Sequence, residues 1–537
     1  MTTLLCVPIT VTDATQALAA AARAAELGAD LVELRIDEFF SGSGEAGEIE
    51  QIVRMVADSP VPTIVTCRPV WEGGAYDGDE DARVSLFERL GAADRPPRYI
   101  DVELAAYARS ANFRSKVHLA VDHPGQRRDL ATGLILSLHD FAGRPADLTR
   151  RLLAMQAEAA AKVLKIAFRA RTVRDNLELF DILGQRDRPT IALGMGECGL
   201  LSRVLAPKFG AFLTFASLSE QQRSAPGQPT VVELLERYRF RSIGPATRVY
   251  GVVGWPVGHS LSPDIHNAGF AAVGHDGVLL PLPVAESYES FKATVLELAE
   301  HPRLDLAGLA VTLPHKQHMV RLAREVGWSI DAAAAAIGAA NTLAIRRDAG
   351  GRPQPLVTNT DAGAISALLK QELGPLPGRT VAIIGAGGVA RAAAWALAEA
   401  GAEVILYNRT PERAAALADD LGKPAVSGRP LDAMYTRPHD AYINATSVGM
   451  AGGPAPEASP VDIQRLQPAP SLLLETIYAP AVTPLLGACA AAGWGAIGGA
   501  RMFVAQGEAQ FRLWTGAAPP AGLFASVVAD RQAGGVT

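Results

Sequence analysis

Short apolar runs separated by polar, helix-length stretches recur through the first half of the chain: Leu4–Ile9, Leu31–Ile36, Thr63–Cys67, Tyr99–Leu104, Leu134–Leu138, Val163–Phe168, Thr190–Gly194 and Phe212–Ala216. Runs of this kind alternating with helices build parallel sheets, and eight of them predict a (β/α)8 barrel. A further run, Val117–Val121, makes the count ambiguous and is placed as extra structure before the fifth strand.

Several of these strands carry ionic residues where a barrel strand is expected to be apolar. A period of two puts Glu33, Arg35 and Asp37 on one face of their strand, and Asp101 and Glu103 repeat the pattern. With the aliphatic residues facing the helices, the charges face the barrel interior, where they pair with each other or with a ligand. Lys165 shares a strand face with Val163 and Ala167. A lysine buried alone is pressed toward the neutral amine, a nucleophile that forms Schiff bases with ketones; a lysine snorkelling from a strand end is the plain alternative. His139, closing the preceding strand, reaches the same mouth as an acid/base or is an ordinary loop histidine.

After a short basic link, Arg239–Pro245, the pattern restarts. The segment Tyr250–Asn267 reads as a strand to Val253, a turn over Gly254–Gly258 and a helix start with Ser260, Ser262 and Pro263, fit for a small polyol or acid or simply a helix cap. Val311–Lys316, Ile337–Leu343 and Thr358–Gly363 are ordinary turns singly and a polar constellation together. Thr380–Ala392 is a strand, a glycine loop and an Ala-rich helix, the context of a dinucleotide site. Gly385 permits the turn, Gly387 and Gly388 let a pyrophosphate approach the backbone, Ala390 fills the third small position, and Ala386 and Val389 belong to the same loop. The next strand ends in Asn408, Arg409 and Thr410 without an acid for a ribose 2′-hydroxyl. Arg409 and Arg413 suit a 2′-phosphate, favouring NADP over NAD, or are two solvated arginines at a helix start.

At 537 residues the chain is expected to hold about three domains, and 49% hydrophobic with 20% charged residues describes a soluble globular protein. A net charge of -6 without a basic run argues against a nucleic-acid partner. Four scattered cysteines give neither metal-ligand spacing nor a disulfide framework, so no metal is expected. The start lacks a basic n-region and no apolar run reaches ~18 residues, so neither a leader nor a membrane span is expected and the cytoplasm is the expected compartment. Oligomeric state is left open.

From Leu5–Ile9 to Ser224–Gln228 the first half resembles the type I 3-dehydroquinate dehydratases. That resemblance implies that Lys165 forms the imine, that His139 moves protons, and that Glu103 orients His139. It further implies that Arg203 clamps a carboxylate, that Glu33, Arg35 and Arg68 hold ring hydroxyls, that Ser224 and Gln228 lie on a closing loop, and that no cofactor is needed. The second half resembles the shikimate dehydrogenases, implying Ser260, Ser262, Thr312, Lys316, Asn341, Asp361, Tyr478 and Gln506 as substrate residues, with Lys316 and Asp361 as the acid/base pair and NADP(H) as cofactor. Asn444–Met450, with Thr446, would lie beside the nicotinamide, and Gly498–Gln506, with Gly499, would complete the cleft. Ala310 and Glu475 depart from the residues common in that family, asparagine and aspartate. The domains implied are a barrel over 1–240, a substrate domain over 248–362 completed by about 499–537, and an NADP domain over 363–498. Together the halves resemble a bifunctional family that makes shikimate from 3-dehydroquinate through 3-dehydroshikimate. A quinate dehydrogenase is the alternative for the second half. A regulator resembling fungal quinate repressors is disfavoured by the retained Lys165, His139, Lys316 and Asp361 and by the lack of a basic DNA-binding segment.

Overall fold

The computed structural model describes residues 2–42, 47–123, 125, 129–221, 227–466 and 471–534. The chain divides into two compact units, Met1–Thr247 and a second beginning at Arg248. In the first, β1 (Leu4–Thr10), β2 (Leu31–Arg35), β3 (Thr63–Thr66), β4 (Tyr99–Glu103), β5 (Gly133–Asp140), β6 (Ala161–Arg169), β7 (Thr190–Met195) and β8 (Leu213–Phe215) form one sheet in the order β7-β6-β5-β4-β3-β2-β1-β8. Its paired strands are all parallel. Between β7 and β8 the closure is a single backbone hydrogen bond, Phe212 N–H to Thr190 O at 2.8 Å, so the expected barrel is nearly rather than fully closed.

The Val117–Val121 run lies in the helix Ala111–Ala120 and the residue that follows it. Phe113, Val117 and Ala120 follow helical spacing and are buried, which made one amphipathic face look like a strand in sequence. The expected link at 239–245 is instead fastened to the barrel. Arg241 reaches Asp30 and the Gly28 carbonyl, and Lys208 Nζ donates to the carbonyls of Pro245 and Thr247 at 2.9 and 2.7 Å.

Strand alternation layers the barrel interior. Cys6, Leu31, Ile64, Ile135, Val163, Ile191 and Leu213 form an apolar floor. Two residues further along their strands, Glu33, Thr66, Ser137 and Lys165 stand above it, joined by Asp101, and all are buried. The apolar floor keeps water away from those charges, so they must satisfy one another.

In the second unit, β9 (Arg248–Gly254), β10 (Gly277–Pro283), β11 (Leu306–Val311), β12 (Ser329–Ile330), β13 (Thr342–Arg347) and β14 (Pro353–Thr358) form a mixed sheet in the order β10-β9-β11-β13-β14-β12. A parallel sheet follows: β15 (Thr380–Ile384), β16 (Glu403–Asn408), β17 (Val426–Pro430), β18 (Ala441–Asn444), β19 (Leu472–Glu475) and β20 (Gly495–Ile497), ordered β17-β16-β15-β18-β19-β20. The order reverses between β15 and β18, the crevice where doubly wound sheets bind nucleotides. The expected boundary at 362/363 falls inside the continuous helix Thr360–Leu373, whose Ile365, Leu368 and Leu369 pack into the core of the parallel sheet. Helices Gly499–Thr515 and Leu523–Ala533 return to the mixed sheet, where Phe511, Trp514 and Phe524 pack with Tyr250 and Phe270. Among the described residues no helix is long and apolar enough to cross a membrane.

Candidate active sites

Lys165 is not the lone buried lysine its strand suggests. Its Nζ lies 2.9 Å from Asp101 Oδ2 and 3.3 Å from Glu33 Oε1, over the Phe215 ring. Arg68 donates to Asp101 Oδ1 at 2.8 Å, to Glu103 Oε1 at 2.7 Å and to Ser137 Oγ at 2.9 Å. Burial alone would raise the Asp101 carboxyl, but Arg68 and Lys165 outweigh it and hold the group well below the usual range.

Glu103 does not orient His139. Both its oxygens are taken, one by Arg68 and the other by Arg83 Nη1 at 2.7 Å, and Arg83 is fully buried on the helix Glu80–Gly91. The residue facing His139 is Glu72, which ends the short turn Val70–Glu72 before Gly73 at φ 77. Its Oε1 accepts the His139 backbone N–H at 3.0 Å and lies 3.4 Å from the ring Nδ1. The sequence offered one signal that was missed, an acid four residues after Arg68 and followed by two glycines. Burial pushes Glu72 up to about 7 against the opposing pull of Arg68. Burial, then the like charges of Arg68 and Lys165, depress His139 well below the ordinary histidine value, leaving the neutral imidazole that a general base requires.

Arg35 grips Asp37 through two bonds of 2.8 and 2.9 Å, and Glu33 also accepts from Thr66 Oγ1 at 2.7 Å. Arg203 is buried without a carboxylate partner among the described residues, and burial alone lowers its guanidinium to about 10. A buried guanidinium in that state fits an incoming carboxylate. Gln228 is buried, while Ser224 lies outside the described residues.

In the second unit Lys316 opens the helix Lys316–Val326, and its Nζ is 2.6 Å from Asp361 Oδ2. Asp361 sits in the first turn of Thr360–Leu373, where a carboxylate complements the helix dipole and Asn359 caps Ala362 N–H. Asn341 Nδ2 donates to Asp361 Oδ1 at 2.9 Å and approaches Gln506 Oε1 at 3.3 Å. Thr312 N–H is tied to Val253 O at 2.9 Å. Neither serine caps the helix Ser262–Ala272; Ser260 Oγ instead accepts the Ser262 N–H at 3.2 Å and donates to Ser262 Oγ at 3.1 Å. The Tyr478 hydroxyl bonds Ser260, and the Tyr478 ring packs on Phe503.

The dinucleotide crevice adjoins this cluster. Gly385 has φ +115, and a Cβ there would stand 2.8 Å from Ala445 O, so backbone strain and close approach both require glycine. A Cβ on Gly387 would meet nothing, so the protein's own packing does not demand a glycine there and the open backbone fits a pyrophosphate. At Gly388 a Cβ would lie 3.2 Å from the Lys316 side chain, which sets the lysine against the loop. Ala386, Val389 and Asn408 are half-buried beside it, with Thr410 exposed. Arg409 and Arg413 are exposed and form no ion pair among the described residues, in keeping with a 2′-phosphate. Thr446 Oγ1 donates to Asn444 Oδ1 at 2.8 Å. Gly499 answers to packing, since a Cβ would fall 1.9 Å from Ile477 O.

Glu475, the departure noted in sequence, is fully buried and takes two bonds from Asn444 Nδ2 at 3.0 and 3.1 Å, one from Thr483 Oγ1 at 2.8 Å, and the N–H groups of Thr476 and Ile477. Burial raises its carboxyl against these neutral donors. It therefore ties the loop after β18 to the loop after β19. Ala310 is buried opposite Thr342 in the mixed-sheet core.

Residues 5–245 match the type I 3-dehydroquinase family. Residues 252–343 match the shikimate dehydrogenase substrate binding domain, 367–451 the shikimate/quinate 5-dehydrogenase family, and 499–528 the shikimate 5′-dehydrogenase C-terminal domain. The chain is 37% identical over 541 residues to the chloroplastic bifunctional 3-dehydroquinate dehydratase/shikimate dehydrogenase of Arabidopsis thaliana, spanning 97% of this chain and 83% of that one. The compartment named for that relative differs from the expected cytoplasm. The shikimate dehydrogenase (NADP(+)) of Citrifermentans bemidjiense is 39% identical over 297 residues, 53% of this chain and 96% of its own. A solved shikimate 5-dehydrogenase from Thermus thermophilus, in complex with NADP(H) and shikimate, is 32% identical over 53% of this chain and 99% of its own, with a TM-score of 0.45. The chain belongs to the family of bifunctional 3-dehydroquinate dehydratase/shikimate dehydrogenases.

Proposed function

We propose that the chain's two activities, dehydration of 3-dehydroquinate and NADP-dependent shikimate dehydrogenation, rest on two buried lysines, Lys165 and Lys316. The observation that carries this reading is that each lysine lies within hydrogen-bond distance of a carboxylate, one in a barrel interior that also holds a neutral imidazole and the other against a dinucleotide loop.

In the barrel, the Lys165 amine adds to the substrate ketone and the ketone oxygen leaves as water, giving an imine. His139 takes the proton from the neighbouring carbon, and the electron pair flows into the protonated imine. The same imidazolium returns its proton to the departing hydroxyl, and water then cleaves the imine to release 3-dehydroshikimate and Lys165. Glu72 orients His139, Arg203 receives the substrate carboxylate, and Glu33, Arg35, Arg68 and Gln228 contact its hydroxyls.

In the second unit NADPH supplies the hydride when bound. Gly385, Ala386, Gly387, Gly388 and Val389 would hold its pyrophosphate side, and Asn408, Arg409, Thr410 and Arg413 its phosphorylated ribose. Thr446 and its loop would border the nicotinamide. Lys316 gives a proton to the forming carbinol oxygen and Asp361 holds that lysine in place. Ser260, Ser262, Thr312, Asn341, Tyr478 and Gln506 fix the substrate.

The test compares Lys165→Ala with Lys316→Ala in the whole chain, offering shikimate and quinate in parallel. The first variant is expected to lose only dehydration, together with the borohydride-stable adduct that the imine gives at residue 165. The second is expected to lose only the redox step. Equal loss of both activities in either variant, with folding intact, would overturn the assignment.

A further inference from the structure

We infer that Thr342 and Gln510 are positioning residues for the dehydrogenase, holding the Asn341 amide so that its NH2 group faces the Lys316–Asp361 pair. The inference rests on the reading of that pair as the acid/base couple.

Thr342 opens β13 and is fully buried, and Gln510 lies buried on the helix Gly499–Thr515. Gln510 Nε2 donates to the Asn341 carbonyl at 3.1 Å and to Thr342 Oγ1 at 3.0 Å. The Asn341 backbone carbonyl can only accept, so the amide orientation of Gln510 is forced; turned over, it would set Oε1 against that carbonyl oxygen. Because the Thr342 hydroxyl accepts from Gln510, its single proton is left to point elsewhere. The acceptor it meets is Asn341 Oδ1, at 2.9 Å.

The same Oδ1 accepts the Thr360 backbone N–H at 2.8 Å. With Oδ1 held by these donors, the Asn341 NH2 group on the other side of the amide donates to Asp361 Oδ1 at 2.9 Å and Thr360 Oγ1 at 2.9 Å and approaches Gln506 Oε1 at 3.3 Å. The remaining Asp361 oxygen is the one that meets Lys316, at 2.6 Å. A one-way chain of hydrogen bonds thus runs from Gln510 through Thr342 and Asn341 to the reacting pair. Neither Thr342 nor Gln510 touches that pair, so their influence passes through Asn341.

Thr342→Val keeps shape and β-propensity and deletes the hydroxyl, while Gln510 keeps the Asn341 carbonyl and Asn341 keeps the Thr360 N–H. The experiment uses the whole chain and first measures NADP+-dependent shikimate oxidation by the unaltered protein; no turnover there sinks the acid/base reading itself. If it turns over, Thr342→Val is expected to lower kcat about tenfold while the KM for NADP+ stays within about twofold and dehydration is unchanged. Thr342→Ser is expected to restore kcat to within about threefold. Gln510→Met is expected to slow the unaltered protein but to add little on top of Thr342→Val, because the Asn341 carbonyl that it also releases still accepts the Val311 N–H at 2.7 Å. A Val variant at full kcat, a Ser variant as slow as Val, or additive losses would overturn the inference. Should the Val variant fail to fold, Thr342→Ser and Gln510→Met still decide: the inference stands only if Ser keeps near-normal kcat and Met lowers it with dehydration intact.

Discussion

Glu72 offers a prediction in which stability and catalysis move in opposite directions. Its carboxyl is pushed up to about 7 from an ordinary 4.5, chiefly by burial. In the window between those two values the folded barrel holds a proton that the unfolded chain has released, so stability falls as pH rises and levels off above about 7. Each unit is worth ~1.4 kcal/mol, so ionised Glu72 costs the barrel about 3 kcal/mol at pH near 8. Glu72→Gln removes that titration while keeping an oxygen for the His139 backbone N–H. Relative to the unaltered protein the variant should therefore gain up to about 3 kcal/mol of barrel stability between pH ~5 and ~8. Hydrogen exchange in peptides from β5 and β6 reads the opening free energy of this unit within the whole chain. The same variant should lose about 100-fold in dehydration kcat, because an amide no longer balances the imidazolium that forms when His139 takes a proton. Shikimate oxidation should not change. A stability difference that is flat with pH, or dehydration at the normal rate, would refute the placement of Glu72 as the group that holds His139.

Arg203→Met should raise the KM for 3-dehydroquinate about 100-fold and raise the thermal midpoint of the ligand-free barrel, since it removes a buried guanidinium without a described counterion. Steady-state kinetics and a melting curve check both, and an unchanged KM would remove Arg203 from the substrate site. Replacing Arg409 and Arg413 together with Ala should lower kcat/KM for NADP+ about 100-fold and leave NAD+ nearly unaffected. Equal losses with the two cofactors would assign the arginines to the surface.

What the sequence made legible was whatever is periodic. The eight barrel strands, the glycine loop after β15 and the turns carrying Lys316 and Asp361 each leave a local signature of alternation or small residues. Three-dimensional pairing left none. Glu103 stood on the right strand face, yet nothing local showed that Arg68 and Arg83 take both of its oxygens. Arg83 itself sits on a helix in a charged stretch that reads as solvated surface. Glu72 lies in a turn with no period to mark it, and Val117–Val121 misled because a helix face seen over five residues looks like a strand. Gln510 and Thr342 lie far apart in the chain, so their shared role emerges only after the last long helix returns to the mixed sheet.

The charges explain why the two sites, read as taking related carboxylic acids, are built so differently. Inside the barrel Arg35 is matched by Asp37, Arg68 by Asp101 and Glu103, Arg83 by Glu103 and Glu80, and Lys165 by Asp101 and Glu33. Arg203 alone among these described cations lacks a carboxylate. An enclosed apolar floor makes any unmatched charge expensive, so the surplus at Arg203 favours a ligand that brings one negative charge. Lys316 and Asp361 neutralise each other, and Ser260 and Ser262, proposed above as substrate residues, are neutral hydroxyls at a helix start left without a side-chain cap. On the proposed reading such a site would bind an anion through dipoles and leave the lysine's charge to the carbinol oxygen.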